Sequence, residues 1–187
     1  MTDSGNLISQ TFDWYLRDVL PIVSRNAIQQ KYGYHGLYTH TSAVVFRGID
    51  YALAMGREPR PVVLACAFHD MARTHDFADM THAENAISIV NIIFQNHFPL
   101  SANCTASIKY AVKNHTIGTI APDYISACLW DADRTRLAWE CGYDPQFFTT
   151  DRAKKIASGN ADEYIRFMRD CMSQYARGII TKLDKQY

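Results

Sequence analysis

The segment Pro61–Phe68 is unbroken in apolar side chains and runs directly into His69 and Asp70. With Pro59 and Pro61 placed where a first helical turn tolerates proline, it reads as a helix that has no polar face. Such a helix belongs in the interior, so its end delivers an imidazole and a carboxylate into dry surroundings. Burying both is costly unless they are paired or bind a cation. The chain must therefore build a core around this helix and close it over a polar pair. Alone, a His-Asp pair reads as a core histidine satisfied by its neighbour. What the rest of the chain brings to it decides.

The remaining apolar pattern is also helical. Residues 7–24 carry Leu7, Ile8, Phe12, Tyr15, Leu16, Val19, Leu20 and Val23 at three- and four-residue spacing. A glycine-containing loop over 26–38 follows, then a helix from Thr39 or Thr41 to Met55, with Gly56 at its cap position. The apolar helix is expected to run to Arg73, followed by a polar loop over 74–81. Further helices are expected from Thr81 to Asn96, from a Ser101 cap to Asn114, and over 123–140. The stretch 142–160 reads as loop-rich, and 161–183 returns to helical spacing. Alternating, strand-like segments are few, and no repeat is present. The expected class is all-α, a compact bundle forming a single domain over 1–187.

Composition narrows the function classes. Nineteen basic residues balance nineteen acidic ones, which argues against a nucleic-acid polymer or an anionic membrane as partner. A small anionic substrate needs only two or three local cations. Five cysteines, at 66, 104, 128, 141 and 171, are odd in number, widely spaced and free of any CxxC, so they read as reduced thiols in a cytoplasmic protein. The first ten residues carry no signal-peptide pattern, and no stretch is long enough for a membrane span.

Polar side chains elsewhere give His69–Asp70 company. His40 precedes the pair by 29 residues, and Asp131 and Asp133 follow it inside another apolar helix. Imidazole nitrogens with carboxylate oxygens suit manganese, iron, cobalt, nickel or zinc, and helices converging in a bundle can supply such a site.

The order His, His-Asp, Asp resembles the HD superfamily of metal-dependent phosphohydrolases over residues 34–150. Tyr34–Thr41 resembles that family's opening His-Gly…His segment, and His69–Arg73 its His-Asp-x-x-Arg/Lys word. Asp76–Ala86 resembles the loop and helix start that carry a further histidine, and Asp131–Leu137 the closing Asp-Ala-Asp-Arg-Leu word. Two departures stand out. His35 and His40 are five apart where relatives show four, and Thr135 stands where relatives carry Leu.

The resemblance implies a divalent metal on His40, His69, Asp70 and Asp133, with His35 and Asp131 as alternatives to the first and last. It also implies a second metal or substrate role for His82 and His115, as in relatives where the Asp of the pair bridges two ions. Asp70 and Arg73 are the expected catalytic residues, with Arg73, Arg134 and Lys113 as candidates for a substrate phosphate. His75 and His97 read as loop or surface residues. Trp130, Trp139, Tyr143, Phe147 and Phe148 could stack on a base or simply pack. The implied activity is hydrolysis of a phosphate ester or anhydride of a small metabolite. The alternatives are a di-iron oxygenase on the same fold and a ligand-binding module without turnover. Helices over 7–24 and 161–183 flank the region of resemblance, and the C-terminal one, after 160, could close the bundle or mediate a homodimer.

Overall fold

The computed structural model describes residues 3–76, 79, 81–141 and 144–158. Among these the chain is helical, with no strand. The elements are α1 (Asp3–Trp14), α2 (Leu20–Asn26), α3 (Ser42–Ala54), α4 (Arg60–Phe68), α5 (His82–His97), α6 (Ala102–Asn114), α7 (Tyr124–Cys141) and α8 (Asp151–Ser158). A π turn over Tyr15–Val19 joins α1 to α2, and a second, over Leu37–Thr41, leads into α3.

The stripe read over 7–24 holds as packing from Phe12 onward: Phe12, Tyr15, Leu16, Val19, Leu20 and Val23 are all buried, whereas Ile8 is partly buried and Leu7 exposed. It is not one regular helix, because Pro21 lacks the N–H that a mid-helix position needs. The π turn lets the helix restart at Leu20, which puts Pro21 in a first turn.

The apolar helix α4 is the centre of the bundle. Val62 to Phe68 are buried without exception, and α4 packs against α3, α6 and α7. Gly48 permits the close crossing of α3 and α4, since a Cβ there would lie 2.7 Å from Cys66 Sγ. The helix expected to reach Arg73 instead ends at Phe68. The Met71 carbonyl accepts the N–H groups of Ile28 (2.8 Å) and Gln29 (3.2 Å), so contacts with the 27–29 segment replace the helical ladder.

A second correction concerns 142–160, which holds α8. The Thr150 hydroxyl accepts the Ala153 N–H (3.2 Å), the geometry of an N-cap. Ala153, Ile156 and Ala157 bury one face. Cys66 and Cys128 are buried free thiols and Cys104 is half-buried. Burial pushes the Cys128 thiol up to about 12. No helix among the described residues is long and apolar enough to cross a membrane. The helix expected over 161–183, with Cys171, lies outside the described residues, as does Tyr143.

Candidate metal centre

Where α4 ends, His69 and Asp70 are turned into the bundle with at most 1% of their surface exposed. The two oxygens of Asp70 then face different partners. Oδ2 lies 3.5 Å from both His40 Nε2 and His69 Nε2, and 3.3 Å from His35 Nδ1. Oδ1 lies 3.0 Å from His82 Nε2, 3.5 Å from His115 Nε2 and 3.1 Å from Arg73 Nε. Asp133 closes the first side, with Oδ1 3.2 Å from His40 Nε2 and 3.8 Å from His69 Nε2.

Backbone carbonyls orient the rings. His69 Nδ1 donates to Cys66 O (2.7 Å), His115 Nδ1 to Val112 O (2.7 Å), and His82 Nδ1 to Asp79 O. A carbonyl can only accept, so in each ring Nδ1 holds a proton and the neutral form aims its Nε2 lone pair inward. The Nε2 atoms of His40 and His69 are 3.2 Å apart, and those of His82 and His115 are 3.1 Å apart. Asp70 Oδ1 makes no regular hydrogen bond despite the nitrogens around it. Converging imidazole nitrogens, the buried carboxylates of Asp70 and Asp133, and the carbonyl bonds behind His69, His82 and His115 form a donor set that fits a divalent cation. Three groups of donor atoms lie close enough to hold one: His40, His69 and Asp133; His69, Asp70 and His115; and His35, His40 and Asp70.

The electrostatics follow from burial. Burial pushes His69 down to about 4, against the pull of Asp70 and Asp133, so the ring is neutral at ordinary pH. Burial works the other way on Asp70, but His69, His115, His35 and His82 outweigh it and hold the carboxyl well below its ordinary range. Asp133 is likewise held low, chiefly by His40 and His69 acting against burial. His115 is raised, because Asp70 outweighs the effect of burying the ring.

Among solved structures, the chain is similar to the crystal structure of a predicted HD superfamily hydrolase from an uncultured Thermotogales bacterium. The TM-score is 0.63 at 21% identity, over 86% of this chain and 93% of that one. The fold is that of the HD superfamily. No family model and no curated protein sequence matches the chain.

On this HD fold, the alternatives left open by the sequence occupy different places. The five-residue spacing of His35 and His40 is taken up by the second π turn, where Gly36 O receives the N–H groups of His40 (2.8 Å) and Thr41 (3.3 Å). Both histidines reach Asp70, but only His40 also reaches His69 and Asp133. His35 keeps 13% of its side chain exposed at the rim. There, Asp76 holds it by accepting the N–H groups of Tyr34 (3.2 Å) and His35 (2.9 Å).

Asp131 and Asp133 point to different sides of α7. Asp131 accepts the backbone N–H of Thr149 at 3.0 Å and also that of Thr150 at 2.6 Å, fastening the start of α8. Burial raises its carboxyl. Arg73 joins the cluster. Arg134 instead donates to the carbonyls of Gly118 and Phe147 and lies over the Trp130 ring. Lys113 is 55% exposed and pairs with Glu84 at 3.0 Å. Of the aromatics, Trp130 and Phe148 are core and Phe147 is exposed. The side chain of Trp139 lies outside the described residues. His75 and His97 are exposed.

Sequence reasoning missed Asp79. Its carboxylate accepts from the backbone and hydroxyl of both Thr74 and Thr81, and its carbonyl sets the His82 ring. The cluster Thr74, Asp79, Thr81 was the available signal. The carbonyls of Cys66 and Val112 carry no sequence signal.

Proposed function

We propose that the protein is a metal-dependent phosphohydrolase acting on a nucleotide or another small phosphorylated metabolite. The observation that carries this reading is Asp70, whose two oxygens each lie within 3.5 Å of the Nε2 atoms of two imidazoles. His40, His69, Asp70 and Asp133 would hold the ion, and nitrogen with carboxylate donors suits manganese, iron, cobalt, nickel or zinc. When bound, a divalent cation would polarise a phosphoryl oxygen and acidify a water molecule.

The chain's own residues supply the rest. The carbonyl bonds of Cys66 and Val112 keep the His69 and His115 rings in one tautomer, so these two donors need no rearrangement to act. His35, Arg73 and Asp133 are the cluster members with solvent-facing surface, at 11–13% of their side chains, so a substrate meets them first. Arg73 brings a fixed positive charge to that opening, as phosphoryl transfer needs. The similar solved structure carries the name of a predicted hydrolase, which agrees with this reading.

A second reading, a di-iron oxygenase, draws on His82 and His115, which face Asp70 Oδ1 as His40 and His69 face Oδ2. One experiment separates the two. Protein loaded in turn with manganese, cobalt, nickel, zinc and iron is screened for phosphate release over nucleotides and sugar phosphates, with oxygen uptake recorded in parallel. Metal-dependent phosphate release without oxygen uptake supports the hydrolase. Oxygen-dependent turnover confined to the iron form refutes it.

A further inference from the structure

The Oδ1 side of the centre already contains a cation. Arg73 follows the turn after α4, where its N–H bonds back to Asp70 O (2.8 Å) and the side chain folds onto the pair. Its Nε lies 3.1 Å from Asp70 Oδ1, and its Nη2 lies 3.1 Å from His82 Nε2. These are the two donor atoms that, with His115 Nε2, a second metal ion would use. The Asp79 carbonyl holds a proton on His82 Nδ1, so the lone pair that receives Arg73 is the one a metal would take.

The contact also answers a difficulty in the cluster. His82 Nε2 and His115 Nε2 stand 3.1 Å apart with their Nδ1 atoms both turned to carbonyls. Two facing nitrogens repel unless one carries a proton, as the raised His115 favours, or positive charge lies beside them. Arg73 provides it on this side. On the Oδ2 side no arginine or lysine makes a described ion pair with Asp70 or Asp133.

We propose that Arg73 is the resident second cation of this centre, so that the protein takes one tightly held divalent ion on the Oδ2 side and excludes a second from Oδ1, His82 and His115. A guanidinium and a divalent ion cannot share those atoms. Even a few ångströms apart they repel strongly in surroundings this dry. Arg73 is therefore a positioning and charge-supplying residue, and its replacement creates a binding site in place of removing one. Only 12% of its side chain is exposed. It also lines a narrow recess with Gln29, Gln30, His35, His75 and Asp76.

The inference rests on the metal-dependent reading above, and the test separates the two. Purified protein, stripped with chelator, is titrated with manganese alone. Bound metal is counted by elemental analysis after gel filtration, and calorimetry gives the affinities. Manganese spin resonance reports whether bound ions are isolated or coupled in pairs. Wild type is expected to hold one isolated ion per chain. Arg73→Ala and Arg73→Gln are expected to hold two coupled ions, the second bound about tenfold or more tighter than any second event in wild type. His82→Ala is expected to leave the wild-type count at one and to abolish the second ion in the Arg73→Ala background. Circular dichroism and melting confirm that each variant is folded. The neutral, similarly long glutamine serves where alanine does not fold. Two coupled ions in wild type, or one ion in both Arg73 variants, overturn the role of Arg73 while leaving the hydrolase reading standing. No bound metal in wild type overturns both.

Discussion

The two sides of Asp70 are made of the same residue types but mounted differently. On the Oδ2 side, His40, His69 and Asp133 come from the π turn before α3, the end of α4 and the middle of α7, which pack on one another at the centre of the bundle. On the Oδ1 side, Arg73 belongs to a turn, His82 to the first residue of α5 and His115 to the end of α6. The first set is gathered where three elements cross, and the second joins the start of α5 and the end of α6 to the residue that follows the turn after α4. Both rings are buried, but at His69 burial outweighs the carboxylates and drives the ring neutral, whereas at His115 the bond to Asp70 and its charge outweigh burial and raise it. One carboxylate thus joins a half that holds neutral imidazole to a half that favours positive charge.

Removing the joint should have the largest effect. Asp70→Ala is expected to lower metal affinity and turnover by on the order of 10³-fold or more, beyond the ~10–100-fold typical of an outer hydrogen-bond partner. Calorimetry and steady-state kinetics measure it. Near wild-type metal content in this variant would remove Asp70 from the centre. Next, the halves should separate. His69→Ala is expected to abolish binding of the first ion, and His115→Ala to weaken it by less than about tenfold. Equal losses would mean that the two sides act as one.

Two glycines allow the same comparison without touching a donor. Gly48→Ala presses on Cys66, whose carbonyl orients His69, and Gly118→Ala drives a Cβ into the Trp130 ring just beyond His115. Each should cost about 1–3 kcal/mol in denaturant unfolding. Gly48→Ala is expected to weaken the first ion, whereas Gly118→Ala should leave it nearly unchanged.

Acid should single out His69. Its folded value of about 4 lies below the ordinary 6.5, so the fold favours the neutral ring. That contribution is complete above pH 6.5 and is lost as pH falls toward 4. His115, being raised, contributes fully below its ordinary value and loses that contribution as pH rises, so it adds no slope in this window. Chelated protein should therefore lose about 1–3 kcal/mol of stability between pH 6.5 and 4, and His69→Gln should flatten that slope. A slope unchanged in the variant would assign the acid sensitivity elsewhere. The smallest effect belongs to Lys113→Ala, expected within about 0.5 kcal/mol of wild type and without effect on turnover, because its partner Glu84 is 73% exposed.

Much of the architecture was legible because periodicity reports which face is buried. The apolar run ending in His69–Asp70 did become the central helix, and the positions of Ser101 and Gly56 marked real boundaries. The end of α4 was misjudged because the bonds that stop it come from Ile28 and Gln29, some forty residues away in sequence. Helix α8 was hidden by its short, charged sequence, although Thr150 and the Ala153, Ile156, Ala157 spacing were there to be read. For the site, residue types named the candidates and the fold sorted them. Asp131 and Asp133 differ by 200° around an ideal α-helix, so one meets His40 and the other Thr149 and Thr150. The proximity of Arg73 to His82 depends on a turn and a loop together, and no local pattern encodes that.

The π turn at Leu37–Thr41 makes chain length itself a functional variable. Segments between helices usually tolerate the loss of a residue. Here the count between His35 and His40 sets the angle at which two imidazoles arrive at one carboxylate, and a single deletion would turn His40 by about 100°. A deletion scan should therefore find this stretch as intolerant of shortening as α4 is of polar substitution.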